Sequence, residues 1–207
     1  MKQPPHMHAT LPHVGGAGER RALLAGITFL DLAGDHDLTL TKLADWFEEH
    51  VVASGCSPHL SILLEPPAGS VALRASGVAL ERSRGDLPRF MSTARARVVG
   101  SLRGLIGTPS DDRFLRAAIF LGRVRRQDGH WVARPEPTAP LSGIVQSLFA
   151  VAILAERHFY DQNLCVCDVC GRVSFDPTPA AKRVCPAHAA RVSGTQHKSP
   201  RGAASGG

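Results

Sequence analysis

Four residues near the C-terminus constrain this chain more than any other feature: Cys167, Cys170, Cys185 and His188. They read Cys-x2-Cys, then a 14-residue loop, then Cys-x2-His. Two thiolates two residues apart can grip one Zn²⁺ from a tight turn, and a second such pair completes a tetrahedron. Gly171, directly after Cys170, suits the sharp turn of a zinc knuckle, because glycine reaches positive φ without a Cβ penalty. The spacing therefore predicts a metal site rather than disulfides. Cys165 leaves one alternative open, since Cys165-x4-Cys170 could supply the first pair.

The ligand count bears on chemistry. A catalytic zinc has three protein ligands and one open position, whereas four protein ligands leave none. Four candidates therefore predict a structural ion, a non-catalytic role, and a binding free energy that becomes folding free energy. In zinc-finger peptides that amounts to roughly 10–16 kcal/mol. The segment around it offers Val166, Val169, Val173, Phe175 and Val184 as an apolar cluster too small to fold without the metal.

At 207 residues the chain has room for one ordinary domain and a small appendage, and 43% hydrophobic content can furnish a core. The formal net charge is +6 and arginine dominates it. That balance is compatible with nucleic acid or another acidic partner, although no run of five basic residues occurs. Near the metal quartet stand Arg172, Lys182, Arg183 and Arg191, the candidate phosphate contacts. Lys2 is followed by Gln, Pro and His rather than an apolar segment, and the longest apolar stretch is too short to span a bilayer. The expectation is a cytoplasmic protein with reduced thiols and no membrane partner.

The chain divides into a Pro/His/Gly-rich tail over 1–19, a mixed domain over 20–162, a zinc module over 163–192, and a Ser/Gly-rich tail over 193–207. The fold class expected is α+β, with a long helix leading into the knuckle. Leu23 to Leu32 is almost continuously apolar and reads as a buried strand, a helix being the alternative. Leu40, Leu43, Phe47 and Val51 recur at helical spacing, with Thr39 or Thr41 as cap. His59–Glu65 and Val71–Ala75 read as paired strands around a Pro-Pro-Ala-Gly turn. Met91, Ala94, Val98, Leu102 and Leu105 form a helical stripe from which Arg89, Arg97 and Arg103 project away. Ala118–Arg126 and His130–Arg134 read as a hairpin across Asp128-Gly129. Leu141 to about Tyr160 reads as one helix.

No catalytic constellation emerges. Cys56-x2-His59, with His36 or His50, has half-site metal spacing but reads better as a buried thiol beside a loop histidine. Gly15-Gly16-Ala17-Gly18 lacks the Lys-Ser/Thr of a phosphate loop.

Two segments resemble a bacterial family. Ile27-Thr28-Phe29-Leu30-Asp31-Leu32, followed by Leu40 and Leu43-Ala44-Asp45-Trp46, is similar to the opening of ABATE-domain proteins. Those are transcription regulators that carry a C-terminal CGNR-type zinc finger. The Cys pair, Phe175-Asp176, Arg183 and Cys185 follow that finger in outline, with His188-Ala189-Ala190-Arg191 standing where the family has Cys-Gly-Asn-Arg. The resemblance implies a zinc-dependent regulator associated with nucleic acid. The competing expectation is a zinc-stabilised protein–protein adaptor that presents the finger and the 141–160 helix to a partner.

Overall fold

The computed structural model describes residues 15–52, 87–106, 112–134, 140–175, 184, 185 and 188. Among these residues helices dominate, accompanied by two small antiparallel sheets of two strands each. The order is α1 (Ala17–Leu32), α2 (Leu40–Trp46) running into a π-helical turn (Phe47–Val52), α3 (Leu87–Ile106), and α4 (Arg113–Phe120). Then follow β1 (Val124–Gln127), β2 (His130–Ala133), α5 (Leu141–Ala155), α6 (Arg157–Asn163), β3 (Leu164–Val166) and β4 (Val173–Phe175). No helix among the described residues is long and apolar enough to cross a membrane.

At the centre stands α5. Every residue from Leu141 to Ile153 is buried except Gln146, which is half-buried and donates to Ser101 Oγ on α3 at 2.8 Å. A helix that is apolar on all sides must be surrounded. Here α1 supplies the most extensive contact, with α3, α4 and the β1–β2 hairpin around the remainder. The approach of α1 is set by Gly26: a Cβ built there would meet the ring of Phe149 at 2.7–2.9 Å.

This corrects the strand expected over Leu23–Leu32, which is the second half of α1. A run that is apolar at nearly every position suits a buried helix as well as a buried strand, and sixteen residues exceed the usual strand length. Further along, Thr39 caps α2, its Oγ1 accepting from the Lys42 amide at 3.2 Å. Trp46 lies against Phe29 at a ring separation of 5.3 Å and donates through Nε1 to Thr28 Oγ1 at 3.0 Å. The stripe of α3 is as spaced: Met91, Ala94, Val98, Leu102 and Leu105 are all buried.

The hairpin forms with Asp128 at φ 50° and Gly129 at φ 83°, the positive pair that a type I′ turn requires. Its first strand begins at Val124, however, since Arg113–Phe120 is helical rather than extended from Ala118. The expected 141–160 helix also breaks, at Glu156 (φ −133°, ψ 50°), and α6 starts afresh. The strands expected over 59–65 and 71–75 fall outside the described residues, as do Cys56 and His59.

Candidate metal centre

The strands β3 and β4 pair in the register Leu164–Phe175, Cys165–Ser174 and Val166–Val173. The turn between them carries Cys167 and Cys170. The Cys167 amide donates to Arg172 O at 2.9 Å and the Gly171 amide to Cys167 O at 2.8 Å, so the chain curls around its own sulfurs. Gly171 has φ 67°, the left-handed conformation that its sequence position suggests. On the second arm, the His188 amide donates to Cys185 O at 2.8 Å and folds the imidazole back over the thiol.

These two turns bring four donor atoms together: Cys167 Sγ, Cys170 Sγ, Cys185 Sγ and a ring nitrogen of His188 all lie within 4.8 Å of one another. Cys170 Sγ and Cys185 Sγ are 3.8 Å apart, and His188 Nδ1 lies 3.7 Å from Cys167 Sγ and 3.1 Å from Cys185 Sγ. A tetrahedral ion with metal–sulfur bonds of about 2.3 Å places its sulfurs roughly 3.8 Å apart. The cluster has the size of a single four-coordinate metal ion and can hold one. Cys167 and Cys185 are buried, and Cys170 and His188 half-buried. Cys165, the alternative ligand, is fully buried in β3 and does not belong to the converging set.

The thiols are electrostatically unequal. Burial pushes the Cys167 thiol up, but hydrogen bonds to the backbone of Cys185, Cys170 and Val169 outweigh it and bring the group down to about 6. Burial pushes Cys170 up to about 11; the Arg172 backbone pulls it down, while the neighbouring Cys167 and Cys185 sulfurs reinforce the rise. A divalent cation would relieve the crowding that holds the proton on Cys170.

Two arginines of α3 secure the turn. Arg103 Nη2 donates to Cys167 O at 2.7 Å, and its Nε lies 3.6 Å from Asp168 Oδ1. Arg95 donates through Nη2 to Cys170 O and through Nε to Leu30 O, the latter at 3.1 Å, which ties α1, α3 and the turn together. Gly171 sits against α3 so closely that a Cβ there would meet Val99 Cγ2 at 3.2 Å. The sequence reading placed Arg103 facing away from the α3 stripe and passed over Arg95. The carbonyls they serve lie 64 and 75 residues downstream, so no local pattern marks them.

The apolar residues of the module do not form a cluster of their own, contrary to expectation. Val166 and Val173 join the main core, Val169 is 63% exposed at the tip of the turn, and Phe175 packs edge-on against Tyr160 at 5.8 Å. The hairpin is thus seated on the helical body rather than appended to it.

Of the four candidate phosphate contacts, Arg172 is exposed beside the metal ligands, while Lys182, Arg183 and Arg191 lie outside the described residues. His36 is exposed, and His50 is half-buried in the π-helical turn with Nε2 3.9 Å from Glu49 Oε2. Comparison of the chain with protein-family models, with curated proteins and with solved structures gives no match.

Proposed function

We propose that this chain is a non-enzymatic cytoplasmic regulator, in which a structural zinc ion held by Cys167, Cys170, Cys185 and His188 stabilises a knuckle that contacts nucleic acid. The observation that carries the reading is the convergence of three sulfurs and one imidazole at tetrahedral-ion spacing. Soft thiolates with one imidazole suit zinc, and four protein ligands leave no position for water or substrate. Zinc at this site supplies a crosslink between the β3–β4 turn and the 185–188 turn. The chain's own residues then hold that crosslink against α3 through Arg95, Arg103 and Val99.

The nucleic-acid part rests on charge. Arg172 faces solvent next to the centre, and Lys182, Arg183 and Arg191 follow in the same module of a chain with net charge +6. Phosphate contacts of this kind make log affinity fall linearly with log salt.

Elemental analysis of the purified protein is the first test. It should give one zinc per chain in the parent and none in Cys167→Ser or His188→Ala. A parent without zinc after reduction and reloading sinks the metal assignment. Binding to mixed duplex DNA and single-stranded RNA over a salt series, with Arg172, Lys182, Arg183 and Arg191 changed together to alanine, then tests the partner. A salt slope unchanged by those substitutions rejects the nucleic-acid role.

A second reading, the protein–protein adaptor, has one observation in its favour: Val169 stands 63% exposed at the tip of the hairpin. Its surface is that tip rather than α5, where every residue from Leu141 to Ile153 except Gln146 is buried. Binding of a protein partner that survives the four basic substitutions and is lost in Val169→Asp favours it.

A further inference from the structure

Beside the N-terminus of α5 the stripe of α3 leaves a crevice of about 360 Å³. Arg89, Thr93 and Arg97 recur every four residues, so they occupy one edge of α3, and they face Pro140, Leu141 and Ser142 at the start of α5. Phe90 and Ala94 supply an apolar flank, and among the described residues no carboxylate lines the space.

Three features of this crevice are unaccounted for by the fold. First, the guanidinium groups of Arg89 and Arg97 make no hydrogen bond or ion pair among the described residues. Other arginines do: Arg95 and Arg103 hold carbonyls, Arg116 pairs with Asp112 and Arg157 with Asp161. Second, Ser142 is only 5% exposed, yet its hydroxyl has no partner among the described residues. Ser147, one helix turn on, satisfies its own hydroxyl on Gly143 O at 2.8 Å. The Ser142 hydroxyl is not sealed inside the fold: it opens on the crevice, where it is free to donate to a ligand. Third, the α5 N-cap is Pro140, which brings no side-chain acceptor, so the first-turn amides of Leu141 and Ser142 point outward with the positive end of the helix dipole.

We propose that the crevice binds the phosphate group of a small phosphomonoester. Arg89 and Arg97 neutralise its charge, Ser142 and the α5 amides donate to its oxygens, and Phe90 with Ala94 receives an apolar body. Two arginines with a helix N-terminus provide donors for a doubly charged tetrahedral oxyanion. The volume falls at the lower end of small-ligand cavities, about 300–1,000 Å³. The site is independent of the metal centre.

Calorimetric titration of the zinc-loaded full chain with phenyl phosphate and with inorganic phosphate tests this. The variants are Arg89→Gln with Arg97→Gln, Ser142→Ala, and a charge-matched control, Arg116→Gln with Arg125→Gln. Phenyl phosphate should bind saturably at one per chain, and more tightly than inorganic phosphate. Affinity should fall roughly tenfold or more in the Arg89/Arg97 pair, measurably in Ser142→Ala, and little in the control. Arg89 and Arg97 are exposed, so zinc content and helicity should be unchanged in that pair. Absence of saturable binding overturns the proposal, and so does an equal loss in the control. Equal affinity for inorganic phosphate and the ester overturns the apolar part of the site.

Discussion

Changing Arg95 to methionine keeps most of the side chain's apolar length and removes two hydrogen bonds, to Leu30 O and Cys170 O. A hydrogen bond from a charged donor contributes about 1.5–3 kcal/mol. Arg95 is half-buried, so the lower end applies to each bond, and the fold should lose about 3 kcal/mol. Only the bond to Cys170 bears on the metal directly. Its share, about 1.5 kcal/mol, corresponds to roughly a tenfold weaker metal affinity. That agrees with the roughly 10–100-fold cost of losing an outer partner of a ligand. Competition against a chromogenic zinc chelator reads the affinity, and denaturant unfolding of the zinc-saturated protein reads the stability. Arg97→Met, two positions on and outside the turn, serves as control. A metal affinity within about twofold of the parent would show that the Arg95 contact is incidental to the metal site, and an equal fall in Arg97→Met would reduce the effect to general charge.

Three further outcomes follow from the packing. Gly26→Ala should destabilise the protein by about 0.5–2 kcal/mol, since overpacking against the Phe149 ring outweighs the helix-propensity gain of about 1 kcal/mol; a higher denaturant midpoint refutes it. Gly171→Ala combines a positive φ with a tight approach to Val99, so about 1–3 kcal/mol of stability and part of the zinc affinity should go; unchanged chelator competition argues against the seating described here. Tyr160, the sole tyrosine of the chain, is pushed up to about 12, first by burial and second by the Glu156 carboxylate. Because its folded value lies above the unfolded one, its contribution to stability is complete below pH 10 and disappears as pH rises toward 12. Tyrosinate absorbance should therefore appear about two units later in the native protein than in denaturant, and coincident titrations contradict the burial.

Local signals in the sequence were readable where one element carries its own explanation. The α3 stripe, the Thr39 cap and the Asp128–Gly129 turn each depend on a handful of neighbouring residues, and each is found in place. The Cys/His spacing likewise needed only two short turns. What escaped depended on partners elsewhere in the chain. The strand expected in α1 failed because periodicity cannot separate a helix enclosed on several sides from a buried strand, and the enclosing partner, Phe149, is far downstream. The apolar cluster assigned to the metal module failed for the same reason, since Val166 and Val173 belong to a core built by α1, α3 and α5. Arg95 and Arg103 sit on a helix edge like any solvated arginine until the β3–β4 turn is laid across them.

The central position of α5 has a consequence for how the chain is made. Ala22, Leu23, Ala25 and Phe29 of α1 are buried in the finished protein, and the helix against which α1 makes its largest contact begins more than a hundred residues later. At ribosomal speeds of about 5–20 residues per second, α1 emerges roughly 5–20 s before that partner exists. During that interval its apolar face is available to chaperones or to other nascent chains. Messages truncated before codon 141 should therefore yield products that aggregate or remain chaperone-bound, with the transition to protease resistance confined to lengths that expose all of α5 outside the ribosome.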